Sequence, residues 1–205
     1  IPGVGHSSPI VWQDRLFVAT CLPDNQQRAL LCLDRKSGQV LWQRTVVEAP
    51  LEKKHSLNSY ASGTPATDGE LVYVTFLQAD FGSADDGARL MAEAIDKFGS
   101  VNALVNSAAT TDRGTLLGTT PEMWQQQFDI NARGPFLLMQ ALVRHLLERK
   151  APGSIVNILS QSAHVGQSFL VPYSASKAAL ANLTTNVAQS DRAQRIRCNG
   201  VMAGW

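Results

Sequence analysis

The sequence has almost no excess charge of either sign: 18 Lys and Arg stand against 17 Asp and Glu in 205 residues. Neither half breaks the balance, with seven basic and seven acidic residues over 1–78 and eleven and ten over 79–205. This excludes the basic field that nucleic acid or an anionic membrane would need, so neither is expected as a partner. Cysteine is scarce as well. Cys21, Cys32 and Cys198 form no CxxC pair and have no histidine at ligand spacing, which argues against zinc or a redox pair and for buried thiols. No apolar run approaches the length of a membrane span, and the chain opens Ile1-Pro2-Gly3 without a charged segment and apolar stretch. No transmembrane helix or signal peptide is therefore expected, and the expected location is cytoplasmic. What is present, 44% hydrophobic against 17% charged residues, suffices for one or two globular cores.

The two halves follow different patterns. Residues 1–78 read as short strands at Pro9 to Trp12, Arg15 to Thr20, Ala29 to Leu33, Val40 to Thr45 and Leu71 to Leu77, separated by turn signals such as Gln13-Asp14, Lys36-Ser37-Gly38 and Asp68-Gly69. That predicts an antiparallel β-meander. An internal repeat sharpens it: Ser8 to Val18 aligns without a gap on Thr64 to Val74, an offset of 56 residues, as expected of stacked blades or solenoid units. Between the copies, Leu30 to Trp42 has the form strand, Asp34-to-Gly38 turn, strand ending in Trp42. On these residues the segment 4–77 resembles the PQQ-like β-propeller repeat family, in which that tryptophan docks between blades. Taken alone, the resemblance would imply a secreted or periplasmic protein.

After Asp80 helices and strands alternate. Ser83 can cap a helix with Leu90, Met91, Ala94, Ile95 and Phe98 as its apolar stripe and Gly99 as its stop. Val101 to Val105 reads as a buried strand. Thr120-Pro121 opens a long helical stretch, Ser154 to Leu159 a second buried strand, Tyr173 to Ala188 a helix and Ile196 to Val201 a strand. Such alternation predicts an α/β fold, a partial doubly wound parallel sheet with helices on both faces.

Tyr173-Ser174-Ala175-Ser176-Lys177 places a phenol and an ammonium four residues apart, on one face of a helix. A fixed positive charge beside a phenol favours the phenolate and so suits it to acid/base work. Alone, the spacing is better explained by an exposed helical pair. Three further features carry more weight. Ser160 ends the Gly153 to Leu159 strand, at the carboxyl end where open α/β sheets bind ligands; Asn131 lies in Asp129-Ile130-Asn131-Ala132-Arg133-Gly134; and Asn106-Ser107-Ala108-Ala109 follows the Leu104-Val105 strand. In order, spacing and context these resemble the short-chain dehydrogenase/reductase family over residues 79–205.

That resemblance implies an oxidoreductase that interconverts a small secondary alcohol and a ketone by hydride transfer with NAD or NADP. Tyr173 would be the general acid/base, Lys177 would lower its pKa and bond the nicotinamide ribose, Ser160 would hold the substrate oxygen, and Asn131 would anchor a water relay. Asp80 would meet the adenine amino group, Asn106, Ala108 and Ala109 would flank the adenosine ribose, and Gly204 would lie under the nicotinamide. A homo-oligomer is implied by the same resemblance. Ser107, Ala109 and Ala203 depart from the family's usual Asn, Gly and Pro. His164 reads as a surface or packing residue in preference to a substrate contact, and the Asn182-Leu183-Thr184 sequon falls in a helix and carries no expectation.

No GxGxxG or GxxxGxG occurs, so the glycine turn that brings a helix N-terminus to a pyrophosphate has no source here. Val72-Tyr73-Val74-Thr75-Phe76 fits a propeller strand while Leu77-Gln78-Ala79-Asp80 fits the family's third strand, and the choice between NAD and NADP is unreadable. The domain reading is a blade fragment over 1–78 and a dehydrogenase catalytic part over 79–205. Two other readings stand beside the enzyme: a chimeric fragment without catalytic function, and a propeller-type binding or scaffold module.

Overall fold

The computed structural model describes residues 1–51, 59–76, 79, 81, 83, 85–190 and 195–204. The chain divides into two compact units, Ile1–Leu77 and Gln78–Trp205. In the first, strands β1 (Ile10–Trp12), β2 (Arg15–Leu22), β3 (Gln27–Asp34) and β4 (Val40–Glu48) form an antiparallel sheet in chain order. The β2–β3 pair runs eight residues, from Arg15↔Asp34 to Leu22↔Gln27, longer than the turn signals predict. Phe17, Leu30 and Cys32 form its buried centre, with Trp12 stacked 6.4 Å and Trp42 tilted 5.9 Å from the Phe17 ring. Asp34 makes the expected turn by accepting from the amides of Lys36 and Ser37, at 3.1 and 2.7 Å, which holds its carboxyl below the usual range; Gly38 closes the turn at φ 72°.

The sequence repeat reappears as a repeat of register. Ile10 pairs with Phe17 in the first copy, and Ala66 pairs with Tyr73 in the second, where β5 (Ala66–Thr67) meets β6 (Val72–Tyr73). Each pair is the other shifted by 56 residues. The second ribbon is short: Leu71 was expected to open a strand reaching Leu77, but pairing stops at Tyr73, and Leu77 lies outside the described residues. No closed ring of blades is seen among the described residues.

Both hairpins need a left-handed residue at the same repeat position. Gly69 supplies it at φ 94°, and Gln13 at φ 54°. An L side chain in that region costs about 1–2 kcal/mol, partly offset by glycine's larger unfolded-state entropy. Gln13→Gly should therefore stabilise the β1–β2 hairpin by about 0.5 kcal/mol, and Gly69→Gln should destabilise its counterpart by about 1 kcal/mol. Hydrogen exchange of the hairpin amides reads both, and equal shifts of one sign would contradict the assignment.

The second unit contains the expected parallel sheet, in the order β7 (Ala103–Asn106), β8 (Gly153–Ser160), β9 (Ile196–Ala203). Its helices are α1 (Asp86–Phe98), α2 (Pro121–Phe128), α3 (Gly134–Glu148) and α4 (Val171–Ser190). Met91, Leu138, Leu142, Leu146 and Leu180 from the helices meet Ile155, Leu159, Ile196 and Cys198 from the strands in one core. Helix α1 begins at Asp86 after Asp85, so Ser83 is not its cap; an Asp86–Arg89–Glu93 ladder at 3.1 and 2.6 Å supports the first turns instead. Gly99 ends it as expected, in the left-handed region, its amide donating to Ile95 O at 2.7 Å.

Two expectations are corrected. Among the described residues, helices cover one face of the sheet, not both. Right-handed crossovers that step β7 to β8 to β9 in one direction keep α2, α3 and α4 on the same side. Alternation then turns Leu104, Ile155, Asn157, Leu159 and Cys198 to the helices and Ala103, Val105, Val156, Ile158 and Val201 to the other face. Consequently the Val101–Val105 segment is not a buried strand: Val105 is 62% exposed and Val201 51%.

Candidate active site

The carboxyl ends of the three strands and the start of α4 bring Asn106, Ser160, Gly204, Tyr173 and Lys177 to one end of the sheet. Thr120 caps α2, its Oγ1 accepting from Met123 N at 3.2 Å, with Pro121 at the first turn. The helix then widens into one π turn over Asp129–Arg133, where Gly134 N donates back to Asp129 O. Pro135 has no N–H to offer the carbonyl of Asn131, four residues earlier, which is a reason for the widening. The Asn131 side chain is fully buried and fully engaged. Its Oδ1 accepts from Thr110 N, and its Nδ2 faces Thr110 O, Gln127 Oε1 and Ser176 Oγ, all at 2.9 Å. It ties the loop after β7 to α4.

Tyr173 is half-buried one turn before Lys177, which is 3% exposed. Lys177 Nζ donates to Ile158 O at 2.9 Å, and burial holds the ammonium below the usual lysine range. Ser160, two residues on in β8, accepts from Ser162 N at 3.2 Å, which uses an oxygen lone pair and leaves the hydroxyl proton free to be donated. The register pairs Ser160 with Ala203, so Gly204 lies just past the same strand ends, where a Cβ would collide with the Gln161 side chain. His164 is exposed. Thr184 of the sequon is buried, its hydroxyl donating to Leu180 O at 2.7 Å.

Asn106 is buried, donating from Nδ2 to Asn157 Oδ1 at 2.8 Å, whereas Ala108 and Ala109 are exposed. Asp80 lies outside the described residues. Three polar residues of this region were missed by sequence reasoning: Gln127 and Ser176, which hold Asn131, and Asn157, which joins Asn106 to Thr184 at 2.9 Å. Asn157 had a signal, since it is the polar residue inside the apolar run Ile155-Val156-Asn157-Ile158-Leu159.

This arrangement has counterparts. Residues 52–205 match the family model described as short chain dehydrogenase. The chain belongs to that family. The match begins ahead of the residue-79 boundary that the motifs suggest. Among relatives, the chain is 35% identical over 129 residues to the probable galactose dehydrogenase of Rhizobium meliloti (strain 1021), covering 63% of this chain and 50% of that one. It is 38% identical over 108 residues to carbonyl reductase (NADPH) 2 of Sus scrofa, covering 53% and 44%. A crystal structure from Sinorhizobium meliloti 1021, classed among short-chain alcohol dehydrogenases, superposes with a TM-score of 0.62 at 28% identity, covering 64% of this chain and 52% of that one. The chain spans about half the length of the relatives it matches. Among the described residues no helix is long and apolar enough to cross a membrane and no cluster of metal-ligating side chains is present.

Lys177 has a consequence for stability in this short-chain dehydrogenase unit. Burial disfavours its charged form only when folded. Between the lowered folded value and the ordinary 10.5, the unfolded chain binds more protons, so this group's contribution to stability rises with pH across that window and is least favourable below it. Lys177→Met should raise stability near neutral pH by about 1 kcal/mol and remove the alkaline rise. Urea midpoints at neutral and alkaline pH check this; parallel profiles for the two proteins would refute it.

Proposed function

We propose that the second unit is the catalytic part of an NAD(P)-dependent oxidoreductase acting between a small secondary alcohol and its carbonyl. The observation that carries this is the buried Lys177, bonded to the strand that delivers Ser160 and set one helical turn from Tyr173. Such a cation under a phenol suits Tyr173 to hold and release a proton at Oη, while the Ser160 hydroxyl donates to the substrate oxygen. The Asn131 carbonyl, deprived of a Pro135 donor, can hold a water that passes protons toward Lys177 Nζ.

The dinucleotide fits at one end only. Lys177, Asn106 and Gly204 suit its nicotinamide and ribose side, with Ala108 and Ala109 small enough for close approach, and the bound cofactor would supply or accept the hydride. Nothing in the chain suits the pyrophosphate, for want of a glycine turn at a helix N-terminus. The first unit we read as a propeller-blade fragment over residues 1–78, on the strength of the four-stranded meander and the 56-residue register repeat. The dehydrogenase part then covers 79–205.

The test is a graft. Residues 1–77 are replaced by the part of the Rhizobium meliloti relative that precedes its matched stretch, and the relative's remaining tail is added after residue 205. The graft should reduce small ketones or aldehydes with NADH or NADPH. A graft that folds and binds a dinucleotide but turns over no alcohol or carbonyl compound would overturn the reading.

A further inference from the structure

Three fully buried side chains, Gln127, Asn131 and Ser176, form an uncharged network whose direction is fixed by the main-chain groups at its ends. Thr110 N can only donate, so the Asn131 atom it meets at 2.9 Å is Oδ1, and Nδ2 faces Thr110 O, Gln127 Oε1 and Ser176 Oγ. The far end of Gln127 meets Asp112 O at 3.3 Å, a carbonyl that can only accept, so that end is Nε2. Ser176 accepts from Asn131 and donates its own proton to Tyr173 O at 2.8 Å. Gln127 thus touches two arms that grip the same turn of α4. The inner arm runs through Asn131 and Ser176 to the Tyr173 carbonyl. The outer arm runs through Asp112 to Gly114, which brackets the helix start by donating to Phe169 O and accepting from Val171 N, both at 3.0 Å.

Satisfying its neighbours does not require Gln127. Asn131 Nδ2 has two protons and two other acceptors, and Asp112 is only half-buried, where water can take the place of the amide. A leucine of similar volume would fill the position with no polar group to match. We infer that Gln127 is a positioning residue for Tyr173: it couples the inner arm to the outer one, so that the turn carrying the phenol keeps one placement relative to Ser160. It does this as a neutral amide, with one end accepting and the other donating. The inference rests on the proposed function for what the phenol does, and on the hydrogen bonds alone for how its turn is held.

In the full 205-residue chain, Gln127→Leu should leave the urea midpoint in place but speed hydrogen exchange about tenfold at the amides of Gly114 and Val171, with Ile155 and Ile196 in the core unchanged. In the graft the same variant should lower kcat about tenfold while the KM for the dinucleotide stays within about twofold. Gln127→Glu supplies a rescue that a volume effect would not. A protonated carboxyl can accept from Asn131 and donate to Asp112 O, whereas an ionised one has no proton to donate. Burial favours the protonated form, so the folded pKa lies above the unfolded value of about 4.3; glutamate should act as glutamine below that value and lose the outer arm as pH rises through the raised one. The kcat of Gln127→Glu should therefore approach the parent's at acid pH and fall with rising pH, an ionisation that Gln127→Leu lacks. Asp112 and Arg113 in the loop, Asp129 and Arg133 in the π turn, and Tyr173 and Lys177 on α4 are titratable too, but both variants share them. Unchanged exchange at Gly114 and Val171 in the leucine variant, full turnover of that variant, or parallel pH profiles for leucine and glutamate would each overturn the inference. A parent graft that binds dinucleotide yet reduces nothing counts against the functional reading; the exchange result still decides the positioning.

Discussion

Tyr173→Phe in the grafted protein should lower turnover by about 10²–10⁴-fold while leaving the fold and the dinucleotide affinity in place. The substitution removes only the Oη proton. Tyr173 makes its packing contacts with the ring, and Ser176 Oγ donates to the Tyr173 main-chain carbonyl at 2.8 Å, a bond that phenylalanine keeps. Lys177→Ala should differ in kind. On the proposed reading it deletes the cation that favours the phenolate and a ribose contact together, so turnover should fall, the pH optimum move to higher pH and the cofactor bind less tightly. Ser160→Ala should lower turnover with little effect on the cofactor, because on the same reading its hydroxyl addresses the substrate oxygen. Near wild-type turnover for Tyr173→Phe would remove the phenol from the mechanism, whatever the fold around it.

The parts of this protein that were legible in its sequence are those governed by local rules. Thr120 and Pro121 announce a helix start because a side-chain cap and a fixed φ are properties of two adjacent residues. Gly99 announces a stop because the left-handed region admits little else. The 56-residue repeat was legible down to its register because identical spacing of apolar and turn residues gives identical hairpins. What was illegible depends on partners distant in the chain. Val105 looks like a core residue by composition, yet it is exposed because no segment among the described residues covers its face. The π turn at Asp129–Arg133 was hidden because its cause, a proline four residues after Asn131, looks like an ordinary helical interruption. Tyr173, Lys177, Ser160 and Asn131 are candidates through their spacing and context, but Gln127 and Ser176, which hold Asn131, and Asn157, which joins Asn106 to Thr184, have no motif. They are recognisable only as polar side chains at positions where the apolar period calls for a hydrophobe.

Asn157 is the position where that kind of residue should matter most. It is fully buried; its Oδ1 accepts from Asn106 Nδ2 at 2.8 Å, and its Nδ2 donates to Thr184 Oγ1 at 2.9 Å. Asn106 stands at the end of β7 and Thr184 two turns after Lys177 on α4, so one amide sets the loop after β7 and helix α4 at a fixed spacing. Leucine at 157 is close in volume but pairs with neither. It leaves the Asn106 amide without its acceptor in a dry core, and it takes from Thr184 the donor that its oxygen faces. An unmade bond of this kind costs about 1–3 kcal/mol for each buried group, so Asn157→Leu should lower the unfolding free energy of the second unit by about 3 kcal/mol. The double variant Asn106→Leu, Asn157→Leu provides the decisive comparison. Replacing both members of a buried pair by apolar groups removes the stranded amide, so the double variant should be more stable than the sum of the singles by about 1 kcal/mol or more. Urea denaturation of the three variants measures the coupling. Strict additivity would mean that the two asparagines act independently, and that the spacing between the β7 loop and α4 is set by packing alone.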